Sequence, residues 1–427
     1  MEVSGNQFDL IVVGGGIMGS CTAYEAAKRG HRVLLLEQFD FLHHLGSSHG
    51  ESRTIRCTYP EHYYTQMVLE SFRLWGEAES EVGYQVLTET TQFDMGPAGN
   101  KSLQSVVANS TGASSNLEAQ VLNHSQVADK FSGTFGLPED WIGVATERGG
   151  IIKPTKALAM FQALAIRRGA VLKDRMEVVD INKDRHAKIL VTTSTKHQFW
   201  ANKCVVTAGA WTQKLVKTVS GLHLPIQPLH TVICYWKIKQ GFEKHLSPEG
   251  GFPTFASYGS PYIYGTPSME FPGLIKIAMH GGHRCDPDQR DWNAGKSTNS
   301  GSLIEPVRQW IREVMPDRVE ADGPVLTQAC MYSMTPDEDF VIDFLGGEFG
   351  KDVVVAGGFS GHGFKMGPVI GRILAQMAIN GSEGTGVEME WFRVRRFDDD
   401  THGNVKEYED QMIALRTHAL YFTEEMA

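Results

Sequence analysis

The sequence predicts an α/β fold combined with antiparallel β structure: a Rossmann-type dinucleotide-binding domain interleaved with a β-rich substrate domain. Three observations carry this expectation. A Gly-rich loop, Gly14-Gly15-Gly16-Ile17-Met18-Gly19, follows an apolar, β-branched run. Strand and helix patterns alternate again near residues 152–207 and 352–379. Between those blocks, Ile226 to Lys239 and Tyr262 to Met279 alternate apolar and polar residues, as antiparallel strands with one wet face do. At 427 residues and 41% hydrophobic content, the chain can build two cores.

Taken in order, Phe8 to Val13 reads as a strand buried on both faces. After the Gly loop, Ser20 to Arg29 has helical spacing and stops at Gly30, a favoured C′ residue. His31 to Leu36 is a second buried strand, which completes a β-α-β unit ending at Glu37. The stretch from Glu81 to Glu147 is mixed and polar, with Asn100, Asn109 and Gly112 marking loops. A helix runs from Pro154 to Arg168 with Gly169 as its stop. Strands are expected at Ala170 to Leu172, Val178 to Ile181, Ile189 to Thr193 and Cys204 to Thr207, and this block should rejoin the first sheet. Gly281 to Gly301 is loop-like. Asp352 to Ala356 is a buried strand, and Pro368 to Ile379 a helix. The expected division is 1–87, 150–222 and 330–385 for the nucleotide, 88–149 and 223–329 for substrate, and a charged arm from 386 to 427.

Composition narrows the function classes. A net charge of −10 argues against nucleic acid or an anionic membrane as a general partner, though a local basic cluster can still bind a small acidic substrate. Six cysteines without a CxxC pair suggest a reducing compartment and no structural zinc. The 16 histidines show no HExxH, so a metal site has no positive support. The N-terminus lacks a basic signal-peptide flank, and no run of about 18 apolar residues is present, so a soluble protein without a membrane span is expected.

Gly14, Gly16 and Gly19 have the GxGxxG spacing: a tight turn, close approach to a pyrophosphate, and close packing of helix on strand. The helix N-terminus then faces the phosphates with free N–H groups. Glu37, 23 residues after Gly14, is placed to accept from a ribose hydroxyl and would repel a 2′-phosphate. The polar segment His43 to Arg56 should wrap the dinucleotide as a loop. Within it, Arg53 and Arg56 are three apart, so one can face the cofactor and the other a substrate.

Six motifs in order make the chain resemble the monomeric sarcosine oxidase and pipecolate oxidase family of amine-oxidising flavoproteins. They are the Gly loop, Ser47-Ser48-His49-Gly50 with Ser52-Arg53 and Ile55-Arg56, and Val206-Thr207-Ala208-Gly209-Ala210-Trp211. Lys276-Ile277-Ala278-Met279-His280 follows, then Cys330-Met331-Tyr332 with Thr335-Pro336-Asp337, and finally Gly358 to Lys365. The resemblance runs from about residue 8 to 380. It implies that the dinucleotide is FAD, in a discontinuous FAD-binding domain that includes Ser48, Arg53 and Gly361. It also implies that Cys330 carries the flavin through an 8α-S-cysteinyl bond, which requires a thiolate. Arg56 and Lys365 match the pair that grips the substrate carboxylate. Lys276 matches the lysine that promotes reaction with O₂; Tyr264 resembles a substrate-pocket tyrosine and His49 a histidine near the flavin. His280, four residues beyond Lys276, should share its strand face.

The expected function is therefore a monomeric oxidase of small secondary amino acids, with amine substrate and O₂ as its partners and an imine and hydrogen peroxide as products. Two rivals are an FAD-dependent D-amino acid or glycine-type enzyme without covalent flavin, and a non-catalytic FAD-binding scaffold. Eukaryotic members of the family are commonly peroxisomal, yet the sequence ends Glu425-Met426-Ala427 and not in a Ser-Lys-Leu type signal, so peroxisome and cytosol are both open.

Overall fold

A computed structural model describes residues 6–112, 115, 117–269, 271–289 and 302–404. Its first sheet has the strand order Val341–Gly346, Gly350–Gly357, Gln198–Val206, Gln7–Val13, Val33–Leu36, Val171–Lys173. From Gly350–Gly357 onward the neighbours are parallel. Both faces of these strands are covered, which explains their unbroken apolar runs. Leu10, Val12, Val33 and Leu35 pack under the helices Ile17–Lys28, Pro154–Arg167 and Gly367–Asn380. Ile11, Val13, Leu34 and Leu36 point the other way, against Ile189, Val191 and Val216. The block 171–206 rejoins this sheet as expected.

The second sheet runs His283–Arg284, Gln227–Lys237, Leu274–Met279, Ile263–Thr266, Thr254–Ser257, Leu87–Pro97, Trp141–Ile152, Arg53–Arg56, with Leu326–Met334 also paired to Gln227–Lys237. All its pairs are antiparallel except Thr254–Ser257 with Leu87–Pro97. An aromatic core of Phe93, Phe135, Trp236, Phe255 and Trp310 fills its far side, under the helix Glu305–Val314.

Several expectations change. Arg53–Arg56 is an edge strand paired to Gly149–Ile152, not loop, so these residues of the N-terminal segment lie in the second sheet. Leu326–Met334, which spans the expected start of the third nucleotide-domain segment at residue 330, lies there too. The polar stretch 81–147 holds the strands Leu87–Pro97 and Gln120–Asn123 and the helix Lys101–Thr111. Asn100 is that helix's N-cap, its side chain accepting from Leu103 N, and Asn109 lies inside the helix. Tyr262 to Met279 is two strands, Ile263–Thr266 and Leu274–Met279, rather than one. The helix His62–Val82 has no counterpart in the sequence expectations, although Tyr64, Met67, Val68, Ser71, Leu74, Trp75 and Ala78 are buried at helical spacing. Of the expected loop 281–301, residues 290–301 lie outside the described residues, as do 405–427 of the arm and the N-terminal 1–5.

Candidate active site

Between the two sheets lies a cleft of about 450 Å³, within the usual range of ligand sites and lined at one end by the Gly loop. Gly14 has φ +101°, and a Cβ there would strike the Thr207 carbonyl. A Cβ on Gly19 would overlap the Gly14 carbonyl, so the helix Ile17–Lys28 can sit this close only on glycine. Ile17 N–H donates to Ser48 Oγ at 3.1 Å, which ties the second loop to the helix N-terminus. Glu37 lines the cleft as expected, but both its oxygens already accept: Oε2 from Gly15 N at 2.7 Å and Oε1 from Phe39 N at 3.0 Å. His43 Nε2 also lies 3.5 Å from Oε1, which leaves the second lone pair of Oε2 for a ribose hydroxyl.

Cys330 sits mid-strand, 3% exposed, and faces the cleft. Arg53 Nη2 lies 3.6 Å from its Sγ and donates to the carbonyls of Ser47 at 3.1 Å and His49 at 2.7 Å. One guanidinium therefore shapes the loop and places a cation beside the thiol. Cys21, Cys57, Cys204 and Cys234 are buried, and burial pushes their thiols up.

Lys276, on Leu274–Met279, is 3% exposed and lines the cleft. Its Nζ donates to Ser52 O at 2.9 Å and Ser52 Oγ at 3.3 Å and sits 5.7 Å from the Tyr264 ring centre. His280 lines the same cleft just past that strand, between the Tyr262 and Tyr332 rings at 5.8 and 5.1 Å. Burial, reinforced by Lys365 and Arg56, pulls its pKa down to about 4. The imidazole is therefore neutral at neutral pH. Gly361, at φ +74°, packs its backbone against His280 and Tyr332: a Cβ would come within 2.8 Å of both rings.

Arg56 and Lys365 arrive from distant parts of the chain and share Tyr59. The Arg56 guanidinium lies 4.6 Å from the Tyr59 ring, and Lys365 Nζ donates to Tyr59 OH at 3.0 Å and to His362 O at 2.8 Å. Arg56 also donates to the hydroxyls of Tyr258 and Tyr262, both at 3.3 Å, and to Thr58 O. Behind it, fully buried Asp94 lies 4.0 Å away and accepts from Thr58 Oγ1 at 2.5 Å and Gln92 Nε2 at 3.0 Å. Lys365 is 6% exposed, and burial followed by repulsion from Arg56 lowers its pKa well below that of a free lysine. A bound anion would relieve both penalties.

The cleft thus brings together Gly14, Gly16, Glu37, Ser48, Arg53, Arg56, Tyr264, Lys276, His280, Cys330, Gly361 and Lys365. Gly19 works from behind it, as the packing residue. His49 does not line it: the ring is buried and packs at a tilt against His44, 5.1 Å between centroids. Sequence reasoning missed Tyr59, Tyr258, Tyr262 and Asp94. The cluster Tyr258-Gly259-Ser260-Pro261-Tyr262 signals a turn rich in tyrosine, but nothing local shows that it surrounds Arg56.

A family model described as FAD dependent oxidoreductase matches residues 9–377. The chain is 58% identical over 417 residues to a probable sarcosine oxidase of Arabidopsis thaliana, covering 97% of this chain and 98% of that one. It is 35% identical over 402 residues to the peroxisomal sarcosine oxidase of Homo sapiens, covering 93% and 98%. Among solved structures, the open form of NikD, an unusual amino acid oxidase of nikkomycin biosynthesis, superposes with a TM-score of 0.75 at 24% identity, over 90% of this chain and 96% of that one.

Proposed function

The chain belongs to the sarcosine oxidase family of FAD-dependent oxidoreductases, and on that footing we propose that it oxidises small secondary amino acids, N-alkyl or cyclic, to imines. The observation that carries this reading is the pair formed by half-buried Arg56 and buried Lys365, set around Tyr59 in an aromatic-walled cleft. A guanidinium grips a carboxylate in two places and the ammonium adds a point charge. Asp94 lies behind Arg56 alone, so a substrate carboxylate between the two groups would offset the repulsion that Arg56 exerts on Lys365.

The residues present fit FAD. The Gly14 turn leaves no room for a side chain, the helix Ile17–Lys28 opens onto the cleft, and Glu37 and Ser48 flank it. Bound FAD would supply a two-electron acceptor between the amine and O₂. The amine loses a hydride from carbon and a proton from nitrogen, and the electrons and two protons end as hydrogen peroxide. His280 is neutral, so it adds no third charge beside the carboxylate and can take a hydrogen bond from the amine. Lys276, fixed on Ser52, places a buried positive charge for an anion formed from O₂. Arg53 Nη2 lies 3.6 Å from Cys330 Sγ, the sulfur that a cysteinyl link to the flavin would use. Monomer is the proposed state. The test is turnover of sarcosine, pipecolate, proline and N-methyl amino acids with a peroxide readout. Peroxide from at least one of them at useful rates is expected; none from the whole panel overturns the reading in favour of a scaffold.

A further inference from the structure

The segment 389–404 lies outside both sheets, yet it delivers a buried cation close to the site. Arg396 Nε and Nη2 donate to the two carboxylate oxygens of Asp337 at 2.7 and 3.1 Å, and Nη2 also to Asp339 O at 2.9 Å. The side chains of this pair are 5% and 1% exposed, an uncommon degree of burial for an ion pair. Asn404 adds its N–H to Asp337 Oδ2 and its Nδ2 to Asp339 Oδ2, both at 2.8 Å. Gly403, at φ +77°, makes that approach possible, because a Cβ there would strike Asp337 Oδ2. Trp391 stacks on Tyr63 at 4.9 Å, and Tyr63 and Tyr64 both donate to Asp339 at 2.9 Å.

The turn held in this way is the one that supports the cleft. Thr335 Oγ1 donates to Asp339 O at 2.7 Å, and Thr335 N to Ser360 Oγ at 3.1 Å, next to Gly361. Glu338, between the two aspartates, presents its carbonyl to His362 Nε2 at 3.0 Å. His362 Nδ1 lies 3.2 Å from Tyr59 OH, and Lys365 Nζ bonds both Tyr59 OH and the His362 carbonyl. An unbroken series of short contacts therefore runs from Arg396 through Asp337–Asp339 to His362, Tyr59 and Lys365.

We infer that Arg396 is a positioning residue: through the turn Asp337–Asp339 it sets where Lys365 and Tyr59 stand, and hence how tightly the site holds a carboxylate. The inference rests on the carboxylate-binding part of the proposed function. The series described ends on Lys365 and Tyr59, so the expected change falls on binding rather than on turnover.

The test uses the flavin-loaded enzyme and two readouts: the Kd for acetate from the flavin absorbance, and KM and kcat for sarcosine. In Arg396→Met, Kd and KM rise about 10- to 100-fold while kcat changes little, since loosening the charge-assisted contacts to the carboxylate by about 1.4–2.7 kcal/mol corresponds to that factor. Asn404→Ala, which keeps the ion pair, gives a smaller rise in the same direction and stands in should Arg396→Met not fold. Asp337→Asn/Arg396→Met removes both charges without stranding one and shows the same rise in Kd. Variants that lose urea resistance but keep wild-type Kd and KM overturn the inference and leave the pair structural only. A wild type that binds acetate but oxidises none of the amino acids overturns the proposed function, with the positioning role still decided on acetate. A wild type that does not bind acetate overturns both.

Discussion

Cys330 presents its sulfur to a guanidinium, with Arg53 Nη2 3.6 Å away. If this cysteine carries the flavin, Cys330→Ser releases yellow flavin into the supernatant on acid precipitation, whereas wild-type flavin stays with the pellet. Flavin retained by denatured Cys330→Ser would assign the link elsewhere. Lys276 is a buried cation fixed by Ser52. At about 4 Å and an effective dielectric of about 20, such a charge favours an anion from O₂ by about 4 kcal/mol, or about three decades in rate. Lys276→Met therefore slows the oxygen half-reaction far more than the amine half-reaction in stopped-flow traces, and equal slowing of the two counts against the role. His280 makes a prediction about pH. Its pKa is lowered from 6.5 to about 4, chiefly by burial. Between those values the unfolded chain binds the proton and the folded one does not, so stability rises with pH through that window and levels off above it. Below the window's top each pH unit removes up to about 1.4 kcal/mol. His280→Gln flattens that part of the Tm profile relative to wild type; parallel profiles would mean that the ring is not buried as described. These individual residues were legible because they stand in motifs: Cys330 before Met331-Tyr332, Lys276 four before His280. Asp94 and Tyr59 were not, since an aspartate or tyrosine declares its partner only once the chain has folded.

The Gly loop is an element whose geometry leaves little latitude. Gly19→Ala places a methyl group on the Gly14 carbonyl and must push the helix Ile17–Lys28 off its strand. Overpacking of this kind costs about 1–3 kcal/mol, and the displaced helix end should also weaken cofactor binding. A lower urea midpoint and a lower flavin-to-protein absorbance ratio are expected together; an unchanged pair of values would show that the loop tolerates the methyl group. Elements buried on both faces were read correctly from the sequence, because an apolar run such as Leu10 to Val13 has few alternatives. Arg53–Arg56 read as loop because its flanks, Ser47 to Ser52, are polar and hold glycine. It is a strand only because Gly149–Ile152 pairs with it from about a hundred residues away. As a strand it places Arg53 and Arg56 on opposite faces, which is how one reaches Cys330 and the other Tyr258 and Tyr262. The helix His62–Val82 carried its own periodic signal, and the arm 389–404 carried none, since its ties to Asp337 and Asp339 are tertiary.

For the molecule as a whole, two sheets of different kinds meet along one cleft, and the residues expected to do chemistry come from both. Gly14, Glu37 and the helix end lie at the parallel sheet; Arg56, Lys276 and Cys330 stand on strands of the other. The order of motifs along the chain made this meeting legible through resemblance, while composition and periodicity alone gave a dinucleotide domain and a β-rich companion. The aromatic wall of Tyr59, Tyr258 and Tyr262 could not be read in that way, because its meaning lies in convergence on Arg56. The central claim is that Arg56 and Lys365 hold the carboxylate of a secondary amino acid. It is tested most directly by the ratio of kcat/KM for sarcosine to that for sarcosine amide, in wild type, Arg56→Met and Lys365→Met. Removing a buried charge-assisted contact costs about 2–5 kcal/mol, which is roughly one and a half to four decades in kcat/KM. The account predicts a wild-type ratio of that order that shrinks in both variants; a ratio that stays the same in the variants would contradict it.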